Sequence, residues 1–161
     1  MSETAFETLP NDECVSSEEI TVTTVNYTET ALDIRRATES IDSSCESSGN
    51  LNLDAWYNFD MPVDGNVRVT NIGGFTNITL FDTCGGTEIS CFYDDGFFYD
   101  LSEGQNYTMR VGLVQGFADE MNFRLQAFEA IGNDQCVDKE TLLVETANYK
   151  KSHHHKNMKF L

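Results

Sequence analysis

The sequence contains no lysine before Lys139, no histidine before His153 and only 2 prolines among 161 residues. Histidine is the base of Ser/His/Asp and Cys/His nucleophilic catalysis, and the 3 histidines are contiguous at His153 to His155, so triad chemistry has no base in the preceding sequence. No CxxC pair occurs and no GxxxxGK[ST] loop, which removes a zinc knuckle and a phosphate-cradling loop. No apolar run reaches the roughly 18 residues of a membrane-spanning helix. Cations are scarce altogether: 10 Lys and Arg stand against 27 Asp and Glu, a net charge of -17 with a pI near 4.2, so nucleic acid and anionic lipid are repelled as partners. With so many carboxylates, some pair falls within range by chance, and a paired-acid glycosidase is not implied. The opening MSETAFETLP has neither a basic start nor an apolar stretch, unlike a signal peptide. Residues 1–10 are expected to be a leader ahead of the folded module, itself a piece of a longer exported chain.

The charge is unevenly spread. Residues 1–132 hold 23 acids and five basic residues, all arginine (Arg35, Arg36, Arg68, Arg110, Arg124), whereas residues 133–161 hold five lysines and four acids. Such a step marks a boundary. The segment 133–149, NDQCVDKETLLVETANY, repeats 11–27, NDECVSSEEITVTTVNY, with nine of seventeen positions identical. A tandem module of about 120 residues is expected, with 11–132 the complete copy and 133–161 the start of a second, followed by a tail, KKSHHHKNMKFL, of native or tag origin. Neighbouring modules of one parent chain are then the first expected partners.

Cysteine follows the same logic. Cys14, Cys45, Cys84, Cys91 and Cys136 are odd in number, and Cys136 is the repeat's counterpart of Cys14, expected to lack its partner. Three connectivities are open to the remaining four. Cys84 and Cys91 flank the hairpin-length loop GGTEIS, so the pairs expected are Cys84–Cys91 and Cys14–Cys45. Disulfides imply an extracellular, cell-surface or periplasmic setting.

Short β-branched or alternating runs separated by Gly, Asn and Asp predict eight strands: 20–27, 55–59, 66–71, 78–81, 89–93, 97–101, 107–112 and 122–128. Val67 and Val69 oppose Arg68 and Thr70; Met109 and Val111 oppose Thr108 and Arg110; Phe123, Leu125 and Ala127 oppose Arg124 and Gln126. Each strand is expected to bury one face and expose a polar one, the pattern of an all-β, jelly-roll-like antiparallel sandwich. A turn or two of helix is the reading for 32–40. Three N-x-[ST] sequons, at Asn26, Asn77 and Asn106, read as ordinary β-rich sequence.

Two constellations carry candidate chemistry. Asp82, Asp94 and Asp95 around the cysteine-bracketed hairpin offer oxygens to calcium, a hard cation, although Asp94-Asp95-Gly96 is also an ordinary turn sequence. Tyr93, Phe97, Phe98 and Tyr99 flank that turn, and because neighbouring strand residues point to opposite faces, part of this set is expected to be exposed as a ligand patch.

Asp54-Ala55-Trp56-Tyr57-Asn58-Phe59 with Pro62 and Gly65, the Cys84 to Cys91 hairpin, and Leu101, Gly104, Tyr107 and Arg110-Val111-Gly112 together resemble the bacterial pre-peptidase C-terminal domain family, in versions from secreted proteins of Bacteroidetes. Phe92 and Tyr93, standing between Cys91 and the acidic pair, depart from that pattern. The resemblance spans about 11–130 and implies a non-catalytic β-sandwich attached to secreted hydrolases or surface proteins: a spacer, adhesion or accessory unit, or a calcium-assisted module binding extracellular glycan or protein.

Overall fold

The structure, a computed structural model, describes residues 9–46, 52–71, 73, 76–114 and 120–131. Residues 133–161, with the repeated segment, Cys136 and the histidine run, lie outside the described residues. Among the described residues, nine strands form: β1 (Glu18–Glu19), β2 (Thr28–Asp33), β3 (Asn52–Asp60), β4 (Gly65–Asn71), β5 (Thr76–Phe81), β6 (Glu88–Tyr93), β7 (Gly96–Leu101), β8 (Asn106–Val114) and β9 (Glu120–Glu129). They build a five-stranded sheet in the order β1-β3-β8-β5-β6 and a four-stranded sheet in the order β2-β9-β4-β7. Every pairing is antiparallel except β1 with β3. Only β5 and β6 are successive strands of one sheet; elsewhere the chain crosses from one sheet to the other at each step. The all-β sandwich expected from the alternation is the fold.

Period-2 burial fills the space between the sheets. Ala55, Tyr57 and Phe59 of β3, Met109, Val111 and Leu113 of β8, and Ile78 and Leu80 of β5 meet Val67 and Val69 of β4, Phe98 of β7, and Phe123, Leu125 and Ala127 of β9. Tyr57 and Phe123 meet edge to face across this layer, centroids 5.1 Å apart.

Two expected elements differ. Segment 20–27 is irregular, because its backbone serves both sheets in turn: Ile20 N–H donates to Asn58 of β3 (2.8 Å) and Ala127 N–H of β9 donates to the Thr23 carbonyl (2.9 Å). Ile20 and Val22 are buried, so the alternation reports burial of a crossing segment without a ladder. The helix read at 32–40 is instead the end of β2, a three-residue 3-10 helix (Ile34–Arg36) and extended chain. Asp33 starts that helix by accepting from Arg35 N–H (3.2 Å).

The disulfides join Cys14 to Cys84 and Cys45 to Cys91, with Cα separations of 5.4 and 5.9 Å. This corrects the pairing Cys84–Cys91 and Cys14–Cys45. Glu88 sits opposite Phe81, and Cys91 lies three residues farther along β6, opposite Thr79. At about 3.3 Å per residue, that step carries Cys91 roughly 10 Å from the turn containing Cys84, more than a disulfide spans.

Both disulfides pin chain segments onto the outside of the five-stranded sheet. Segment 9–16 lies along β3, exchanging Trp56 N–H to Asn11 carbonyl (2.8 Å) and Asn11 Nδ2 to Trp56 carbonyl (3.0 Å). Segment 37–46 docks through Ser40 and Glu46. Asp12 ties the two segments together, accepting from Thr38 N–H (2.6 Å) and Thr38 Oγ1 (2.8 Å). Trp56, Phe81 and Cys14 form a second, smaller apolar cluster beneath them. The polar face that alternation assigns to solvent on β8 is therefore covered, and Arg110 is 0% exposed.

Candidate functional site

Under the straps, Arg110 of β8 is the hub of a buried polar network. Its Nε donates to Asp54 Oδ2 (2.8 Å), and Nη1 donates to Asn77 Oδ1 (3.0 Å) and meets the Glu46 carboxylate. Asp54 also accepts from Ser40 N–H (3.1 Å) and Ser40 Oγ (2.9 Å), while Ser40 Oγ accepts from Trp56 Nε1 (2.8 Å). Gly112 makes the room, since a Cβ there would run into the Asn77 side-chain oxygen. Burial pushes both the Asp54 and Glu46 carboxyls up, with the Arg110 charge opposing it. One guanidinium neutralises one of two carboxylates, so the pair takes up a proton above the ordinary carboxylate range. The network is sealed and its partners are mostly one another. Asn77, one of the sequons, is 2% exposed within it.

The three aspartates read as a calcium set do not converge. Asp82 follows β5 and accepts from Thr87 N–H (2.7 Å) in the turn of the hairpin. Asp94 and Asp95 lie past the other end of β5, roughly 16 Å away at about 3.3 Å per residue. There Asp94 Oδ1 accepts from Thr76 N–H (3.2 Å) and Asn71 Nδ2 (3.3 Å), and Asp95 accepts from Asn71 N–H (2.7 Å). Asp94 holds a left-handed φ of 57°, which Asp tolerates at a turn. Each of the three carboxylates uses one oxygen to accept from N–H groups at a turn or a strand end. Glu39, Asp42 and Glu46 of the strap instead bring one oxygen each within 4.8 Å of one another, a grouping their scattered spacing did not signal, and Glu46 already faces Arg110.

The aromatic set is split between surfaces, because the Asp94-Asp95 link crosses from one sheet to the other. Tyr93 belongs to the outside of the five-stranded sheet, where its hydroxyl donates to the Cys45 carbonyl. Phe98 is 0% exposed and packs on Phe92 in the core, centroids 4.9 Å apart; it is removed from the candidate ligand patch. Phe97 and Tyr99 remain, on the outside of the four-stranded sheet. Their rings stack at 5.8 Å, Tyr99 is 63% exposed, and Phe128 adds a third ring 6.2 Å from Phe97.

That face carries more than sequence reasoning found. Arg68 pairs in register with Phe97 on β7 and with Gln126 on β9; Thr70 pairs with Arg124, and Arg124 with Glu29. Arg124 Nε donates to Glu29 Oε2 (2.8 Å), which raises its pKa, and its guanidinium lies 4.3 Å from the centre of the Tyr27 ring. The Arg68 guanidinium stands 5.8 Å from the centre of Phe97. Between them lies an open depression of about 250 Å³ lined by Tyr27, Arg68, Thr70, Arg124 and Gln126. The strand alternation did place Arg68, Thr70, Arg124 and Gln126 on polar faces. What it could not give was that β9 and β4 are neighbours, which gathers them into one surface with the β7 aromatics.

Two facing sheets, one shut on its outside by disulfide-pinned straps and the other open, define the class: an exported-type β-sandwich domain held by disulfides. The chain belongs to the galactose-binding-domain-like family associated with T9SS, the type IX secretion system, whose profile matches residues 10–125. The Bacteroidetes β-sandwich implied by the sequence resemblance is met at that level, and the family shown is this one. No curated protein matches the sequence. Among solved structures, the chain is similar to PliG from Aeromonas hydrophila, a periplasmic inhibitor of g-type lysozyme. That likeness has 14% identity and a TM-score of 0.37, over 68% of this chain and 95% of that one. No helix among the described residues is long and apolar enough to cross a membrane.

Proposed function

We propose that the chain is a non-catalytic, carbohydrate-binding accessory module of a secreted or cell-surface protein, repeated in tandem, which meets its ligand through the outside of the four-stranded sheet. The observation that carries this reading is the stacked, exposed pair Phe97 and Tyr99 beside the Arg68–Arg124 depression. Flat rings take up the C–H face of a sugar, and fixed polar groups beside them set its orientation. The family's galactose-binding-like description agrees with a sugar ligand. The disulfides and the T9SS association agree with export.

The test is retention on immobilised galactose-containing polysaccharide, measured for the wild type and for Phe97→Ala and Tyr99→Ala. Retention of the wild type, with loss in both variants at unchanged melting temperature, is expected. A wild type that passes through unretained, or variants retained as well as it, would leave a spacer module without this site.

A further inference from the structure

Arg68 occupies the middle of the open face. Register sets Gln126 and Phe97 on either side of it, Thr70 and Arg124 one row away, and Asn66 and Phe128 one row away in the other direction. Arg35 pairs with Asp33, Arg110 with Asp54 and Glu46, and Arg124 with Glu29. Arg68, in a sequence with 27 acids, meets no carboxylate among the described residues and rests against the Phe97 ring. The Arg68 guanidinium lies within cation–π range of the Phe97 ring, 5.8 Å from its centre, and its planar fork carries the paired donors that bidentate carboxylate recognition needs. Thr70 and Gln126 beside it supply hydroxyl and amide groups of the kind that contact sugar hydroxyls.

We infer that the ligand is an acidic saccharide: a hexuronate unit whose carboxylate is held by Arg68 while its ring lies on the Phe97–Tyr99 platform. This rests on the sugar-binding reading above and names the sugar's charge. The net charge of -17 opposes anions at long range, yet fields from acids farther than about 8 Å are largely screened at physiological salt, so the contact with Arg68 decides. Arg124 contributes less, its charge being met by Glu29.

The experiment is titration of the full chain with galacturonic-acid oligosaccharides and with galactose oligosaccharides of equal length, using wild type, Arg68→Ala, Arg68→Lys and Tyr99→Ala. The acidic series is expected to bind about tenfold more tightly than the neutral one, the size of one charge-assisted hydrogen-bond pair. Arg68→Ala erases that preference by weakening the acidic series alone. Arg68→Lys restores it in part, keeping the charge without the planar fork. Tyr99→Ala weakens both series. Equal binding of the two series by the wild type, lowered alike by Tyr99→Ala, overturns the acidic inference and leaves the sugar-binding module standing. Binding of neither series overturns both. A preference for the acidic series that survives Arg68→Ala overturns the assignment to this residue.

Discussion

The two outer faces of this sandwich start from the same kind of sequence and end in opposite states. On the five-stranded sheet, Trp56, Asn77 and Arg110 lie under two straps pinned by Cys14–Cys84 and Cys45–Cys91, and Arg110 is wholly buried. On the four-stranded sheet, Arg68, Phe97 and Tyr99 occupy equivalent outward positions and stay in solvent. An arginine in an alternating strand therefore carries no fixed meaning. Where a strap covers it, the guanidinium must be met by carboxylates, and the network becomes part of the stability of the fold. Where the face stays open, the guanidinium is available to a ligand and contributes little to folding.

The largest expected contrast comes from deleting each arginine. Arg110→Ala leaves Asp54 and Glu46 buried around a lost cation and is expected to cost about 3–5 kcal/mol. Arg68→Ala, on the open face, should stay within about 0.5 kcal/mol. Urea unfolding of both variants measures the difference, and equal losses would break the comparison. Next in size, replacing Cys14 and Cys84 together by Ser should destabilise by about 2–4 kcal/mol through the released chain. It should also shift the Trp56 emission to the red as water reaches its strap-covered ring. Sugar binding on the other sheet should be unchanged at temperatures where the variant is folded, and a loss there would mean the faces are coupled.

A smaller effect follows from the charge of the buried network. Glu46 and Asp54 have folded pKa values raised above their ordinary 4.5 and 3.8, mainly by burial. The folded state thus holds more protons than the unfolded state, so the contribution is fully present below the ordinary values and lost as pH rises through the raised ones. Melting temperature is expected to rise as pH falls toward the ordinary carboxylate values, and to rise less in Glu46→Gln, which lacks that titrating group. Identical slopes would remove Glu46 from the account. Asp33 acts in the opposite sense but outside that window, since hydrogen bonding from Arg35 holds it at about 2. The smallest expected effect is that of calcium. The ion takes roughly six to eight oxygens, whereas Glu39, Asp42 and Glu46 bring together one each and Glu46 is already met by Arg110. Millimolar calcium against chelator should move the melting temperature by no more than about 2 °C; a larger rise that Asp42→Asn abolishes would establish an ion site on the strap.

Seven of the eight expected strands correspond to β3 through β9, because half-buried strands write their period directly into the sequence. The segment 20–27 shows where that signal misleads: Ile20 and Val22 alternate because they are buried, while their backbone crosses between sheets. The site was legible in pieces. Tyr93, Phe97, Phe98 and Tyr99 were legible as one partly exposed set: alternation puts Phe98 opposite Phe97 and Tyr99 without saying which side is buried, and a two-residue acidic link reads the same whether it turns within one sheet or passes to the other. The disulfide pairing failed for a related reason: the Cys84 to Cys91 spacing suits a hairpin, but the strand register displaces the two sulfurs along it.

The sequence by itself determined the all-β class, the inward apolar rows and the acidic character of the surface, because each depends on local alternation and composition. Which cysteines meet, which outward face is roofed and which arginine is left to solvent were decided by the tertiary structure alone. Those outcomes depend on which strands become neighbours and where the straps lie, and contacts between Arg68 and Phe97 or between Arg110 and Asp54 join residues that no local pattern relates.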